Sequence, residues 1–355
     1  KYIAEAASHE IGHNFGLSHD GTTTSAYYSG SSGWAPIMGV GYYQPLVQWS
    51  KGEYPSANNL EDDYAVMATH GLTSASDEDL NTAASARTIY VGTDVIGDIN
   101  SPSDSDWFKI TPSASGAFTF NFSTAVISPD LDLSATLLQS DATTVISSND
   151  PAFTVVNSDQ ATGLGTSIAA TLTANQTYFL TLKGVGFGDI TKTGYTNYGS
   201  IGQYKLGING AVAPLAITNS SLPNATTGVT YSQQLTGFGG YYPYSWSATG
   251  LPSGVSINST TGLISGATSL AGSYTVIVTL AGGSSSVQKS LPLVVVDPLI
   301  ITTKSLPNIT TGTAVSYQVL ASGGSAPYIW GATGLPSGLS MSSNGVISGS
   351  TSVTG

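Results

Sequence analysis

The chain has 355 residues, of which only 8% are charged, with a formal net charge of -12 and no cysteine. This length predicts about two to four domains, and the negative charge argues against nucleic acid or an anionic membrane as a partner. No apolar run approaches the ~18 residues of a membrane span, and disulfides are excluded. We therefore expect a multidomain, mainly β protein that is secreted or held at the cell surface.

Three of the four histidines stand in one stretch near the start of the chain, HEIGHNFGLSHD. On a helix, His9 and His13 project from one face, one turn apart, so both imidazoles can reach one ion. Gly16 permits a left-handed turn that ends the helix and brings His19 in from another direction. Three ligands with an open fourth position are typical of catalytic zinc, and Glu10 then lies where it can act as general base. Ordinary packing of an amphipathic helix explains neither Glu10 nor Gly16.

The same stretch matches the metzincin signature HExxHxxGxxHD, and the context of Asn14 and Asp20 resembles the reprolysin (adamalysin) branch of these metallopeptidases. The resemblance implies peptide-bond hydrolysis, with a zinc held by His9, His13 and His19 and with Glu10 as the base. It also implies a methionine turn below the metal, for which Met38 in Ala35-Pro36-Ile37-Met38-Gly39 is the candidate. Asp20 is expected to make a supporting hydrogen bond rather than to bind the metal.

On this resemblance, residues 1–86 are the C-terminal part of a metzincin catalytic domain, an incomplete α+β lower subdomain. Metzincins have an upper subdomain before the zinc-binding helix, so we expect the chain to be cut at its front and its own activity to be impaired. Tyr42 and Tyr43 follow the methionine turn. In some metzincins a tyrosine near this place contacts the metal or the transition state, and the alternative is packing or lining of a substrate pocket.

Two further features of this segment are readable. The loop from Gly21 to Gly33, rich in Ser, Thr and Tyr, is expected to border the cleft. A second helix is predicted with Asn58 or Asn59 as its cap, with Gly71 at its end, and with acidic residues in its first turn, Glu61, Asp62 and Asp63. His70 falls in its last turn and is expected to be a surface residue.

From residue 88 to 210 the pattern changes to alternating strands separated by turns, as in a β-sandwich. The segments Gly97-Asp98-Ile99 and Asp104-Ser105-Asp106-Trp107-Phe108-Lys109-Ile110, with Gln203-Tyr204-Lys205-Leu206 near the end, resemble the jelly-roll-like pre-peptidase C-terminal domain of bacterial secreted peptidases. Several aspartates here either hold Ca²⁺ or cap turns, namely Asp98, Asp104, Asp106, Asp130 and Asp132.

Residues 211–297 and 298–355 form a repeat. Ser221-Leu222-Pro223-Asn224 recurs as Ser305-Leu306-Pro307-Asn308, and Trp246 recurs as Trp330, in both cases 84 positions later. The period of 84 residues suits one immunoglobulin-like sandwich per unit. The segment GLPSGVSINSTTGLISG resembles the immunoglobulin-like, cadherin-related modules of bacterial surface proteins. The two tryptophans are expected to be core anchors, and the second unit is expected to be truncated.

Two functions follow from this organisation. The first is a secreted zinc-dependent endopeptidase that acts on a protein or peptide substrate, with trailing sandwich modules that bind a cell surface or extracellular polymer. The second is a non-catalytic extracellular adhesion array that carries an inactive metallopeptidase remnant. Zinc is the expected cofactor of the first, and neither function involves nucleic acid or a membrane span.

Overall fold

The computed structural model describes residues 1–77, 79, 81–126 and 129–354. It is mainly β, with 39% of residues in strands and 7% in helices. Two compact units are formed, one by Lys1–Pro214 with Gly239–Pro243 and the other by Leu215–Phe238 with Tyr244–Gly355. None of the helices in the described part of the chain has the length and apolar character needed to cross a bilayer.

The front segment of the first unit holds two α-helices and a small parallel sheet. The bounds are α1 (Tyr2–Asn14), β1 (Trp34–Pro36), β2 (Leu46–Gln48) and α2 (Asp63–Thr69). Helix α1 ends where predicted, because Gly16 adopts a φ of +88° just beyond its last turn.

The cap predicted for the second helix was wrong. Helix α2 is capped by Asp62, whose carboxylate accepts a hydrogen bond from the Ala65 amide at 2.9 Å. Asn58 instead accepts from the Gly21 amide and Asn59 from the Glu61 amide. The end of the helix was predicted correctly, since Gly71 has a φ of +92°.

The sandwich follows as two sheets, and most of its longer strands alternate buried and outward-facing residues. The strands of these two sheets are β3 (Arg87–Thr88), β4 (Asp94–Ile99), β5 (Ser105–Ile110), β6 (Gly116–Ser123), β7 (Leu133–Leu138), β8 (Val145–Asn149), β11 (Thr166–Leu172), β12 (Tyr178–Gly184) and β13 (Gly202–Gly210), with 3-10 turns at Ala83–Ser85 and Asn197–Gly199. One sheet has the order β11-β6-β13-β4 and the other β3-β5-β12-β7-β8. Strands β9 (Thr154–Asn157) and β10 (Gln160–Thr162) pair with each other in a separate two-stranded sheet. The core between the sheets is formed by side chains including Phe108, Phe120, Leu137, Leu180 and Leu206.

The front segment and the sandwich also share a second, aromatic core. Trp34 of β1 lies parallel to Tyr195 of the sandwich, with ring centroids 6.2 Å apart. The buried members of this core are Trp34, Leu46 and Tyr54 from the front segment, and Phe153, Leu164 and Tyr195 from the sandwich. Burial of apolar surface therefore fixes the front segment on the sandwich.

The second unit contains most of the two sequence repeats. Its strands are β14 (Ala216–Ile217), β15 (Ala225–Thr226), β16 (Tyr231–Gln234), β17 (Gly237–Phe238), β18 (Tyr244–Thr249), β19 (Val255–Ile257), β20 (Leu263–Gly266), β21 (Gly272–Gly282), β22 (Ser285–Val296), β23 (Ile300–Ile301), β24 (Val315–Gln318), β25 (Ala321–Ser322), β26 (Leu339–Met341) and β27 (Val346–Gly349).

The repeats form equivalent three-stranded sheets, with orders β16-β20-β19 and β24-β27-β26. Tyr231 pairs with Gly266 in the first, and Val315 pairs with Gly349 in the second. Trp246 is buried in the core of the first repeat, as expected of an anchor, whereas Trp330 of the second repeat is only partly buried.

Candidate metal centre

The structure brings His9, His13 and His19 together. One ring nitrogen from each lies within 4.8 Å of the others, a separation that allows one metal ion to bind all three. The centroids of the rings are 4.9 Å apart for His9 and His13, 5.3 Å for His9 and His19, and 4.7 Å for His13 and His19. Helix α1 supplies the first two rings, and the left-handed turn at Gly16 returns the chain so that it supplies the third.

Two of the rings are held by backbone carbonyls. The Nδ1 of His9 lies 2.8 Å from the Ile37 carbonyl oxygen, and the Nδ1 of His13 lies 2.8 Å from that of Leu17. Because a carbonyl oxygen only accepts, each Nδ1 donates the hydrogen bond, and in the neutral ring this leaves the lone pair on Nε2. This is how outer hydrogen bonds orient the imidazole ligands of a metal.

The remaining nitrogens fit a cation. The Nε2 atoms of His13 and His19 are 3.0 Å apart, close to the ~3.3 Å between two ligands of a tetrahedral zinc with bonds of about 2.0–2.1 Å. Burial, and then the proximity of His13 and His9, lower the pKa of His19. Three imidazoles are a donor set that suits zinc, and the residues present therefore fit this metal.

Met38 packs against Gly12 of the helix that carries His9 and His13. Its side chain is fully buried, and a Cβ placed on Gly12 would come within 2.4 Å of its Sδ atom. The Ile37 carbonyl next to it accepts from His9, and the Met38 carbonyl accepts from the Asp20 amide at 2.9 Å. The segment predicted as a methionine turn is thus tied to both ends of the histidine stretch.

Asp20 is buried and lies beside the site without being one of the grouped donors. Its Oδ1 is 3.4 Å from the Tyr54 hydroxyl, which also donates to the Gly21 carbonyl at 2.9 Å. Burial raises the pKa of Asp20 to about 7. Its contacts are those of a residue that supports the turn after His19.

Glu10 is exposed and follows His9 directly on helix α1. The tyrosines considered from the sequence lie elsewhere: Tyr42 meets the ring of Tyr2 edge-on at 5.9 Å, and Tyr43 is 72% exposed. The tyrosine beside the histidines is Tyr27, in the loop expected to border the cleft, with its ring centroid 4.3 Å from that of His19. The sequence pattern carried no sign of this residue beyond the richness of the loop in tyrosine.

A second group of metal-ligand side chains lies in the sandwich. Carboxylate oxygens of Asp77, Asp104 and Asp106 lie within 4.8 Å of one another. Two of the five aspartates considered from the sequence belong to this group, whereas Asp98, Asp130 and Asp132 do not. Asp77 was missed, although the acidic run Asp77-Glu78-Asp79 at the start of the sandwich was a signal for it.

Asp106 is fully buried in this group. One carboxylate oxygen, Oδ2, accepts a hydrogen bond from the Tyr204 hydroxyl, and the other has no hydrogen-bond partner among the described residues. Burial raises the pKa of Asp106 to about 8, and the neighbouring Asp104, Asp79 and Asp77 raise it further in the same direction. A cation at this place would offset the burial of the carboxylate.

Residues 213–296 and 297–355 each match the family model described as Putative Ig domain. No curated protein matches the sequence. Among solved structures, the chain is similar to a protein from Bacteroides fragilis described as a putative alpha-galactosidase, with 26% identity over 23% of this chain and a TM-score of 0.22. The chain spans only 17% of the length of that protein.

Two other solved structures have lower identity and cover more of the chain. The pre-peptidase C-terminal domain of collagenase from Bacillus anthracis is 14% identical over 35% of this chain and 94% of its own, with a TM-score of 0.25. Extracellular domains 3–5 of Drosophila OTK are 12% identical over 68% of this chain and 83% of their own length, with a TM-score of 0.29. On the family match, residues 213–355 are immunoglobulin-like modules.

Proposed function

We propose that residues 1–86 carry a zinc site that hydrolyses peptide bonds, and that the β modules behind it bind an extracellular polymer, cell surface or protein substrate. The observation that carries the proposal is the convergence of three imidazoles, two of them with Nδ1 bound to a carbonyl and Nε2 left for a metal. The immunoglobulin-like modules support an extracellular location and a role in binding or spacing.

Zinc, when bound, would polarise a substrate carbonyl and acidify a water molecule. The Ile37 and Leu17 carbonyls hold His9 and His13 in the orientation that this binding needs. Glu10, which is exposed beside His9, accepts the proton of the attacking water and passes it to the leaving amine. The reaction needs no covalent intermediate with the protein.

The test is zinc analysis and peptide cleavage by the purified 355-residue protein and two variants. We expect about one zinc per chain in the wild type. Glu10→Gln is expected to keep the zinc and to lower the cleavage rate by about 10²–10⁴-fold, since it removes the general base. His13→Asn is expected to lose both zinc and cleavage. Undiminished cleavage by Glu10→Gln would overturn the mechanism.

The second candidate function is a non-catalytic binding array. The observation that favours it is that two immunoglobulin-like modules make up the C-terminal part of the chain. A protein that binds no zinc and cleaves no peptide, yet binds an extracellular glycan or matrix protein, would support this function. A zinc-dependent cleavage that Glu10→Gln abolishes would reject it.

We also propose that the sandwich binds Ca²⁺ through Asp77, Asp104 and Asp106. Clustered carboxylate oxygens are the ligands that this cation prefers. The fully buried Asp106, with one oxygen lacking a hydrogen-bond partner among the described residues, is the feature that turn capping does not explain.

A further inference from the structure

The three histidines of the candidate metal centre are not held in the same way. His9 and His13 each bind a backbone carbonyl through Nδ1, whereas the ring of His19 has no such bond among the described residues. The direction of the His19 ring therefore depends on the backbone that carries it. The contacts of the neighbouring residues decide whether the third imidazole faces the ion.

Ser18, the residue before His19, is bound through both of its donors by one carboxylate. Its amide donates to Oε2 of Glu61 at 2.9 Å, and its hydroxyl donates to Oε1 of Glu61 at 3.0 Å. Glu61 lies 43 positions later in the chain, two residues before helix α2. Two charge-assisted hydrogen bonds to one residue fix its orientation as well as its distance.

Glu61 is itself oriented by Asn59. The Asn59 side-chain amide donates to Oε2 of Glu61 at 3.2 Å, and the Glu61 amide donates to Oδ1 of Asn59 at 3.0 Å. Burial on its own would raise the pKa of Glu61, but the hydrogen bonds from Ser18 and Asn59 outweigh it and lower the pKa. The carboxylate is therefore ionised near neutral pH, the form that accepts from both donors of Ser18.

The residues on either side of Ser18 and His19 are fixed by other means. Leu17 is 3% exposed and belongs to a small core with Met38 and Met67. The Asp20 amide donates to the Met38 carbonyl at 2.9 Å. Ser18 is exposed, so its position depends on hydrogen bonds rather than on packing. Glu61 thus restrains the part of the turn that the core does not cover.

We propose that Glu61 is a positioning residue of the metal centre, whose carboxylate holds Ser18 so that the His19 imidazole faces the ion held by His9 and His13. The proposal deepens the function proposed above and rests on its zinc site. Glu61 is outside the group of donors that can reach the ion, so it acts through the backbone of the turn. Hydrogen bonds outside the ligands commonly govern metal affinity in this way.

The test is the zinc dissociation constant of the 355-residue protein, measured by competition with a chromophoric chelator. Glu61→Ala is expected to raise this constant by about 10–100-fold, the usual effect of losing an outer hydrogen bond. Glu61→Gln keeps one acceptor oxygen for Ser18 and is expected to raise it less.

Asp62→Ala is the matched control, because it removes a neighbouring charge and the cap of helix α2 without removing a partner of Ser18. We expect Asp62→Ala to lower the melting temperature. Its zinc dissociation constant is expected to stay within about threefold of the wild type, since a distant exposed charge is screened.

Removal of His19 tests whether Glu61 acts through this ligand. In a His19→Ala background the third imidazole is absent, so adding Glu61→Ala is expected to change the zinc dissociation constant by less than about threefold. A general role in folding would instead give the same factor in both backgrounds. Ser18→Ala removes only an exposed hydroxyl and serves if Glu61→Ala does not fold. It is expected to raise the constant by about threefold to tenfold, and only when His19 is present.

The outcomes separate this role from the peptidase function. A wild type that binds zinc and cleaves peptides, with unchanged zinc affinity in Glu61→Ala, would overturn the role of Glu61 alone. A wild type that binds zinc and cleaves no peptide would count against the peptidase function, and the zinc dissociation constants would still decide the role. Equal losses of affinity in Glu61→Ala and Asp62→Ala, or equal losses with and without His19, would overturn it. A wild type with no affinity for zinc would overturn both.

Discussion

At the scale of single residues, buried carboxyl groups set the electrostatic behaviour of the first unit. Burial raises the pKa to about 7 or 8 for five aspartates, namely Asp20, Asp63, Asp106, Asp130 and Asp132. Each of these groups favours its protonated form in the folded protein, because a buried charge is poorly solvated. Their ionisation makes the free energy of unfolding depend on pH.

Asp132 provides a direct test of this dependence. Its Oδ2 accepts a hydrogen bond of 2.6 Å from the Tyr195 hydroxyl, and burial raises its pKa from 3.8 to about 7. Its contribution to stability is therefore fully present below about pH 4 and is lost as the pH rises through 7. We expect Asp132→Asn to be less sensitive than the wild type to a rise from pH 4.5 to 7.5, as measured by the melting temperature of the first unit.

Asp141 is the matched control for this measurement. It is exposed, and hydrogen bonds from the Thr144 hydroxyl and from the amides of Thr144 and Thr143 lower its pKa to about 2. Because it stays ionised over the whole interval in both states, Asp141→Asn is expected to keep the pH dependence of the wild type. An identical dependence in Asp132→Asn and the wild type would contradict the assignment.

The sequence indicated some site residues and not others, for a physical reason. His9, His13 and His19 are close in the chain, so helix geometry and one glycine turn suffice to predict that they meet. Tyr27 reaches His19 through an irregular loop that the hydrogen bond from the Tyr28 amide to the Asp20 carbonyl closes. Asp77 reaches Asp104 from 27 positions earlier in the chain. Spacing along the chain holds no information about such contacts.

At the scale of secondary structure elements, the alternation of apolar and polar residues in the sequence predicted the strands. The segment Ala117–Phe122 lies within strand β6, and Thr177–Leu182 overlaps strand β12 at every position except Thr177. The cap of helix α2 was missed because several Asn and Asp residues precede it, and each of these types can cap a helix. Asp62 is selected by a tertiary contact, since its Oδ1 also accepts from the Tyr198 hydroxyl at 2.8 Å.

The proposed Ca²⁺ site joins strand β5 to the segment that precedes the sandwich. Asp106 lies in strand β5 and Asp104 just before it, whereas Asp77 lies in the segment that leads into the sandwich. A cation that binds only the folded form stabilises it by RT ln(1 + [L]/Kd), about 2.7 kcal/mol at a Ca²⁺ concentration 100 times Kd. We therefore expect millimolar Ca²⁺ to raise the melting temperature of the first unit and a chelator to reverse the rise.

The variants of this site test its ligands. Asp77→Asn and Asp104→Asn are each expected to abolish most of the rise in melting temperature, because each removes a charged ligand. Asp98 belongs to the same sandwich but lies outside the group, so Asp98→Asn is expected to retain the rise in melting temperature. If Ca²⁺ left the melting temperature of the wild type unchanged, the three carboxylates would be a structural cluster only.

At the scale of the whole molecule, the two sequence repeats have equivalent structures. In the first immunoglobulin-like module, a Cβ on Gly262 would lie 2.7 Å from the indole of Trp246, and in the second a Cβ on Gly345 would lie 2.8 Å from the indole of Trp330. The two glycines also share a positive φ, of +72° and +80°. Each module thus places its tryptophan against a glycine that has both a steric and a conformational reason to be there.

A variant at Gly228 isolates the conformational effect from the steric one. Gly228 has a φ of +73°, nearly that of Gly262, and an added Cβ would have nothing within 4 Å. We expect Gly228→Ala to lower the free energy of unfolding of the first module by about 1–2 kcal/mol, the cost of a left-handed conformation for a residue with a Cβ. Gly262→Ala is expected to lower it by about 1–3 kcal/mol more, since the methyl group must displace a buried indole. Urea unfolding of each variant measures both losses.

The first unit has its own core, so zinc content is expected to be unchanged in the two variants. If Gly228→Ala and Gly262→Ala lowered the free energy of unfolding equally, the indole of Trp246 would move aside without an energetic penalty. Trp246 would then not be the rigid anchor of its module.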